Sequence, residues 1–258
     1  MFVGVSGVGK TELAKKLAKN IYPGSDSLIK LDMSEYSEGF GVSKLLGSPA
    51  GYVGYKESNH FTDKLKMNPY CVILFDEIDK AHPDVTRLLL QMLDNGEITD
   101  SAGRKISLKH AIIVLTTTVG AEQAHNAQIG FGSSQMNSSK KEKRLRESLK
   151  EYFSPELINR LNKICLFDKL STNSLAKIAQ LEIDQLNKRL KKYNTKINNE
   201  TDVLKWLISQ LPDKNNNARE TRSFVRQQIE TLIADIIVNK KIKNSYELKK
   251  LANKLKVQ

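Results

Sequence analysis

The stretch Gly4-Val5-Ser6-Gly7-Val8-Gly9-Lys10-Thr11 constrains this chain more than any other. It fits the spacing GxxxxGK[ST] and falls between a β-branched apolar run and an amphipathic run, so a strand enters the loop and a helix leaves it. The glycines let the backbone curl until successive N–H groups face one point, and the helix that follows adds the positive end of its dipole. Such a loop cradles phosphate. Gly4, Ser6, Gly7, Val8 and Gly9 supply the cradle, Lys10 is placed to neutralise the β- and γ-phosphates of ATP, and Thr11 is placed to hold Mg²⁺ through its hydroxyl. In a chain of this length the spacing arises by chance on the order of once in a hundred, and the flanking elements lower that further.

A second signature lies at Cys71-Val72-Ile73-Leu74-Phe75-Asp76-Glu77. An apolar strand that ends in Asp-Glu puts two carboxylates at the carboxyl edge of a sheet, beside the phosphate loop. Asp76 is expected to support Mg²⁺ through its water shell, and Glu77 to polarise the attacking water as general base. Asp79 and Lys80 on the exit turn read as structural or interface residues.

The first two-thirds of the chain alternate apolar runs with amphipathic ones, the pattern of an α/β domain with a parallel sheet. Strands are expected at Met1–Val5, Leu28–Met33, Val72–Asp76, Ala111–Thr117 and Ile164–Phe167, and helices at about Lys10–Tyr22, His60–Met67, Pro83–Asn95 and Lys140–Phe153. Residues 124–140 read as an exposed loop. After Phe167 long helical patterns dominate, at about Thr172–Tyr193, Asp202–Gln210 and Arg219–Asn239, so the expected division is a large domain over 1–168 and a smaller, mainly helical one over 169–258. Met1 runs straight into the first strand with nothing to flank it, which leads us to expect a piece of a longer protein.

Net charge is +12, and the surplus sits in residues 140–258, with 27 Lys/Arg against 14 Asp/Glu. A basic half can serve an acidic partner or nucleic acid, but no aromatic-and-basic interleaving of the single-strand binders accompanies it, and solvated helix faces account for it. No apolar run approaches the ~20 residues of a membrane span, and no secretory leader is visible. Two cysteines, Cys71 and Cys165, lie in apolar runs without metal-binding spacing, and the four histidines are scattered. A reducing compartment is expected: the cytoplasm or, in a eukaryote, an organelle matrix or stroma.

Four further stretches carry a resemblance: LFDEIDKAHP at 74–83, GSPAGYVGY at 47–55, DNGEITDSAGR at 94–104 and FSPELINRL at 153–161. Together with the phosphate loop they resemble the second ATPase module of the Clp-type AAA+ unfoldases over nearly the whole chain. The resemblance implies an AAA+ domain with a five-stranded parallel sheet and a helical lid, working in a hexameric ring of identical subunits. Gly51-Tyr52-Val53-Gly54 is similar to the pore loop that grips a threaded polypeptide, with Tyr52 and Val53 as the gripping residues; 99–104 would lie near a second pore loop. Arg160 matches the arginine finger that reaches the γ-phosphate held by a neighbouring subunit, although on its own such a residue reads as a surface salt bridge. Arg219, after Ala218, matches the family's second sensor. The residue before that pair is usually Gly and here is Asn217, a change that Asn's tolerance of left-handed backbone would accommodate.

Two departures stand out. Thr116-Thr117-Thr118 ends a strand where the family usually places Asn at the third position to orient the attacking water. A Thr118 hydroxyl is shorter and aimed differently, so hydrolysis is expected to be slower than in a typical member. The family's stretch ahead of the phosphate-loop strand, which helps contact adenine, is also missing, and this bears on the nucleotide affinity of the chain alone. Within the family, Ile129-Gly130-Phe131 in a polar loop is similar to the tripeptide that docks the ClpP peptidase, and Thr116-Thr117 is closer to ClpA than to ClpB. The leading expectation is an ATP-driven unfoldase that threads polypeptides into a ClpP-like peptidase. Alternatives are a ClpB-like disaggregase and a nucleotide-binding scaffold with impaired hydrolysis. A nucleic-acid translocase is disfavoured by Tyr52 in its glycine frame.

Overall fold

The computed structural model describes residues 1–24, 26–47, 60–121, 138–199, 201–211, 217–238, 245–251 and 254–257. It divides into two compact units, Met1–Val5 with Gly9–Asp168 and Ser6–Val8 with Lys169–Gln258. Tyr52, Val53, Ile129, Gly130 and Phe131 lie outside the described residues.

The first unit runs β1 (Phe2–Val3), α1 (Lys10–Ile21), β2 (Leu28–Asp32), α2 (Gly41–Leu46), α3 (His60–Met67), β3 (Val72–Asp76), α4 (Pro83–Asn95), β4 (Glu97–Thr99), β5 (Lys105–Ser107), β6 (Ile112–Thr117), α5 (Ser138–Leu149), α6 (Pro155–Arg160) and β7 (Cys165–Leu166). Five of these strands form one parallel sheet in the order β2-β3-β6-β1-β7. They come from the five stretches read as strands in the sequence. Every residue of β3 is buried, as a strand covered on both faces must be. Its side chains alternate between two layers. Ile73 and Phe75 join the large core with Met33, Leu89 and Leu115, whereas Val72 and Leu74 pack with Ala14 and Ala18. The two alanines, four residues apart on α1, are small enough to let that helix lie close on the sheet.

The β4–β5 hairpin, α2 and α6 were not anticipated. The hairpin turns on Asp100, whose carboxylate accepts the Ala102 and Arg104 N–H groups at 3.0 and 2.8 Å and pairs with Lys66 at 2.8 Å and Arg104 at 2.7 Å. Burial pushes the Asp100 carboxyl up, but these donors outweigh it and hold it at about 2.

The second unit carries α7 (Thr172–Leu190), β8 (Lys196–Asn199), α8 (Thr201–Ser209), α9 (Ala218–Val238), β9 (Ser245–Leu251) and β10 (Lys254–Val257). Ser171 caps α7 by accepting the Ser174 N–H at 3.2 Å. The buried stripe of α7 packs with Leu204, Leu207, Val225 and Ile229. Glu182 lies in that stripe, 5% exposed, and Arg226 of α9 neutralises it through Nε at 3.0 Å and Nη2 at 2.5 Å. The mainly helical reading omitted a three-stranded sheet in the order β10-β9-β8, with β8 and β9 parallel and β9 and β10 antiparallel. Asn187 of α7 fastens it, pairing with both the N–H and the carbonyl of Ile197 at 2.8 and 2.9 Å. Among the described residues no helix is long and apolar enough to cross a membrane.

Candidate active site

The parallel register delivers the chemistry to one edge of the sheet. Phe75 lies opposite Leu115, and Phe2 and Val3 lie opposite Thr116 and Thr117. The ends of β1, β3 and β6 are therefore neighbours, at the carboxyl edge where parallel α/β sheets bind ligands. The chain leaves β1 through Gly4, whose N–H donates to the Thr117 carbonyl at 3.2 Å. Gly7 and Gly9 take φ of 75° and 107°, a range closed to most side chains, so these two glycines are required by the path of the loop. Ser6 is exposed and Val8 is buried. Lys10, in the first turn of α1, is 8% exposed. Its ammonium donates to the Gly4 and Val5 carbonyls at 2.5 and 2.9 Å, lying across the loop that precedes it.

Thr11 and Asp76 meet across the sheet edge. The Thr11 hydroxyl donates to the Asp76 carboxylate, 3.0 Å from Oδ1 and 3.2 Å from Oδ2. Two residues that sequence reasoning did not assign to the site complete it. The Thr116 hydroxyl donates to Asp76 Oδ1 at 2.6 Å, and Lys30 of β2 places its ammonium 2.9 Å from Oδ2. Burial pushes the Asp76 carboxyl up, but the Thr116 hydroxyl, the Lys30 ammonium and the Thr11 hydroxyl hold it below the usual carboxylate range. Hydroxyl and carboxylate oxygens side by side are the hard donor set that Mg²⁺ takes beside a phosphate, so these residues fit a nucleotide carried with that ion. The signal for Thr116 was its place in a polar run closing an apolar strand; its partner could be known only from strand register.

Glu77 follows at once, exposed, with φ 59° and ψ 52°. Among the described residues only Glu77 and Asn194 are non-glycines at positive φ. Holding a side chain there costs roughly 1–3 kcal/mol, and such strain collects at functional positions. The turn is held by the Glu77 N–H, which donates to the Thr116 hydroxyl at 3.0 Å. Thr116 thus binds both acidic positions, through the carboxylate of one and the backbone of the other. Thr117 donates to Asp79 at 2.6 Å, which gives Asp79 the structural role expected of it. Thr118 lies just past the end of β6, half-buried.

The structure joins Lys10, Thr11, Asp76, Glu77 and Thr116–Thr118 in the first unit. Arg160 ends α6 in the same unit, 57% exposed at its side chain, with Nε 2.6 Å from Asp94 Oδ1. Arg219 is exposed in the first turn of α9 in the second unit. The expected reason for Asn217 needs correction, since its φ is not positive. Its side chain instead accepts the Glu220 N–H at 2.8 Å, the arrangement of an N-cap. Asn is among the best capping residues and Gly ranks below it, so the substitution gives α9 a firmer start.

The family profile described as AAA domain (Cdc48 subfamily) matches residues 1–164, and that described as the C-terminal, D2-small domain of ClpB protein matches residues 170–249. A probable ATP-dependent Clp protease ATP-binding subunit from Chlamydia pneumoniae is 41% identical over 240 residues, covering 92% of this chain and 28% of that protein. Chaperone protein ClpB from Aquifex aeolicus is 40% identical over 246 residues, covering 95% of this chain and 24% of that one. A cryo-EM reconstruction of the closed state of Hsp104 with ATPyS and FITC casein superposes with a TM-score of 0.83 at 36% identity, covering 99% of this chain and 44% of that one. The chain therefore spans about a quarter of the length of these two curated relatives.

Proposed function

The chain belongs to the Clp-type AAA+ ATPases as their second ATPase module, and from that premise we propose that it unfolds polypeptides and threads them into a ClpP-like peptidase. The observation that carries the motor reading is the shared carboxylate of Asp76, bonded to Thr11 and Thr116, with Glu77 turned outward directly after it. Lys10 neutralises the β- and γ-phosphates of ATP, and Thr11 through its hydroxyl and Asp76 through the water shell would hold Mg²⁺. When bound, the ion stabilises the charge on the transferring phosphoryl group. Glu77 accepts the proton of the attacking water. Arg160 stabilises the γ-phosphate charge in a neighbouring subunit of a hexameric ring, and Arg219 couples nucleotide state to the angle of the lid. Tyr52 and Val53 grip the threaded chain, and Ile129-Gly130-Phe131 inserts into an apolar pocket of the peptidase.

The second reading is a disaggregase without a peptidase. It is favoured by the match of residues 170–249 to the small domain of ClpB. The two separate in one experiment on the full-length protein. ATP-dependent degradation of a tagged, folded substrate is followed with and without a ClpP-type peptidase, and repeated after deletion of residues 129–131. The expected result is degradation that requires the peptidase and is lost on deletion, with ATP turnover kept. Recovery of aggregated substrate without any degradation overturns the peptidase reading.

Thr118 sets the pace in this scheme. Thr118→Asn is expected to raise turnover about fivefold in the assembled ring, the rate equivalent of one net hydrogen bond of about 1 kcal/mol to the attacking water. Steady-state phosphate release checks it, and no gain sets the idea aside.

A further inference from the structure

Arg160 rides on α6, a helix of six residues. A helix that short does not hold itself and needs anchors beyond its own backbone bonds. Three are present at its start and middle. Ser154 accepts the Leu157 N–H at 3.3 Å, Pro155 opens the first turn, and Leu157 and Ile158 are buried in the large core. None of these fixes the end of the helix, where Arg160 leaves and where carbonyls lack intrahelical partners.

That end is held by Arg146 of α5. Its Nη1 donates to the Ile158 carbonyl at 2.8 Å and its Nη2 to the Leu161 carbonyl at 3.0 Å, so one guanidinium spans the last turn and the residue after it. The fork is itself oriented. Glu142 accepts from Arg146 Nη2 at 3.2 Å and from Lys163 Nζ at 2.8 Å. A planar cation at a helix carboxyl end satisfies orphan carbonyls and also meets the negative end of the dipole. The side chain of Arg160 is then caught by Asp94, the penultimate residue of α4, 2.6 Å from Nε. Asp94 lies in the last turn of its own helix, where an acid opposes the dipole; the cation beside it offsets that. The backbone on either side of Arg160 is thus held by one residue and its side chain by another, on an exposed face.

We propose that Arg146 is a positioning residue for Arg160: it sets the exit angle of α6 so that the Arg160 guanidinium reaches the nucleotide of the neighbouring subunit. This rests on the reading of Arg160 as a residue that acts in trans. Arg146 touches no nucleotide, and its loss leaves the subunit's own Lys10, Thr11, Asp76 and Glu77 in place. A displacement on the order of 1 Å at a transition-state contact costs up to about a hundredfold, which sets the scale of the effect.

The test uses full-length rings isolated by size-exclusion chromatography, with turnover counted above a Lys10→Ala background. Arg146→Met is expected to lower kcat about tenfold with KM unchanged. Arg146→Lys, which reaches one carbonyl rather than two, is expected to fall between it and the parent, and it carries the test if the methionine variant does not assemble. Mixed rings then assign the defect. Glu77→Gln subunits keep Arg160 but cannot hydrolyse, so they restore turnover to neighbours that lack only a functioning finger. Arg146→Met mixed with Glu77→Gln should exceed either parent ring. The same mixture with Arg160→Ala is the control. If the control complements and Arg146→Met does not, or if Arg146→Met rings match the parent kcat, the positioning role is overturned. If the control itself fails to complement, the reading of Arg160 in trans fails with it.

Discussion

Glu77→Gln is expected to lower ATP turnover by about three orders of magnitude while nucleotide binding persists. The amide keeps the size of the carboxylate, and the left-handed turn at this position is set by the backbone. The Glu77 N–H remains bonded to Thr116, and buried Ile78 anchors the next residue. What disappears is the oxygen proposed to accept the proton of water. The variant should therefore hold ATP without consuming it and, in the full-length protein, should retain an engaged polypeptide. Single-turnover hydrolysis and the lifetime of bound nucleotide are the measurements. A glutamine ring that turns over at the parent rate would remove Glu77 from the mechanism.

Arg160→Ala is expected to lower turnover in assembled rings by about 10³-fold, the lower end of what an arginine finger contributes. The Arg160 side chain pairs with Asp94 on an exposed face, a contact worth no more than about 1 kcal/mol. Its removal should barely move the melting temperature, which separates a catalytic loss from a structural one. The decisive comparison is concentration dependence. Below the assembly concentration the parent and the variant should hydrolyse ATP equally slowly, and they should diverge only as rings form. A difference that persists in dilute monomers would mean that Arg160 serves its own subunit.

Much of this was legible in the residues, for identifiable reasons. The five strands of the main sheet are short, β-branched and bounded by turns, and α1, α3 and α4 carry clear helical periodicity, so length and pattern sufficed. The strands of the second unit were not legible. Lys196–Asn199 has a single apolar residue in four, and Ser245–Leu251 carries two lysines among seven residues; both acquire strand character by pairing, β8 with β9 and β9 with β10 as well. Helix α6 was too short to show a period. At the site, Lys10, Thr11, Asp76 and Glu77 could be named because their spacing along the chain is itself the motif. Thr116 and Lys30 could not, because their relation to Asp76 runs across strands, and register is a tertiary property. Asn217 was noticed but explained by the wrong device, since a single sequence does not separate tolerance of left-handed backbone from a talent for capping.

The alternation in β3 has a consequence for how such a site can change over generations. Ile73 and Phe75 answer to one layer, Val72 and Leu74 to the other, and the acidic pair hangs from the strand's end. Interiors packed to crystal density pass small volume changes along rather than absorbing them. A larger side chain at Ala14 or Ala18, on the side remote from the large core, would press first on Val72 and Leu74, in the strand that ends at Asp76. Drift in residues that never meet nucleotide can retune the tempo of hydrolysis in small steps, and lineages can diverge in speed while their signature motifs stay letter for letter the same.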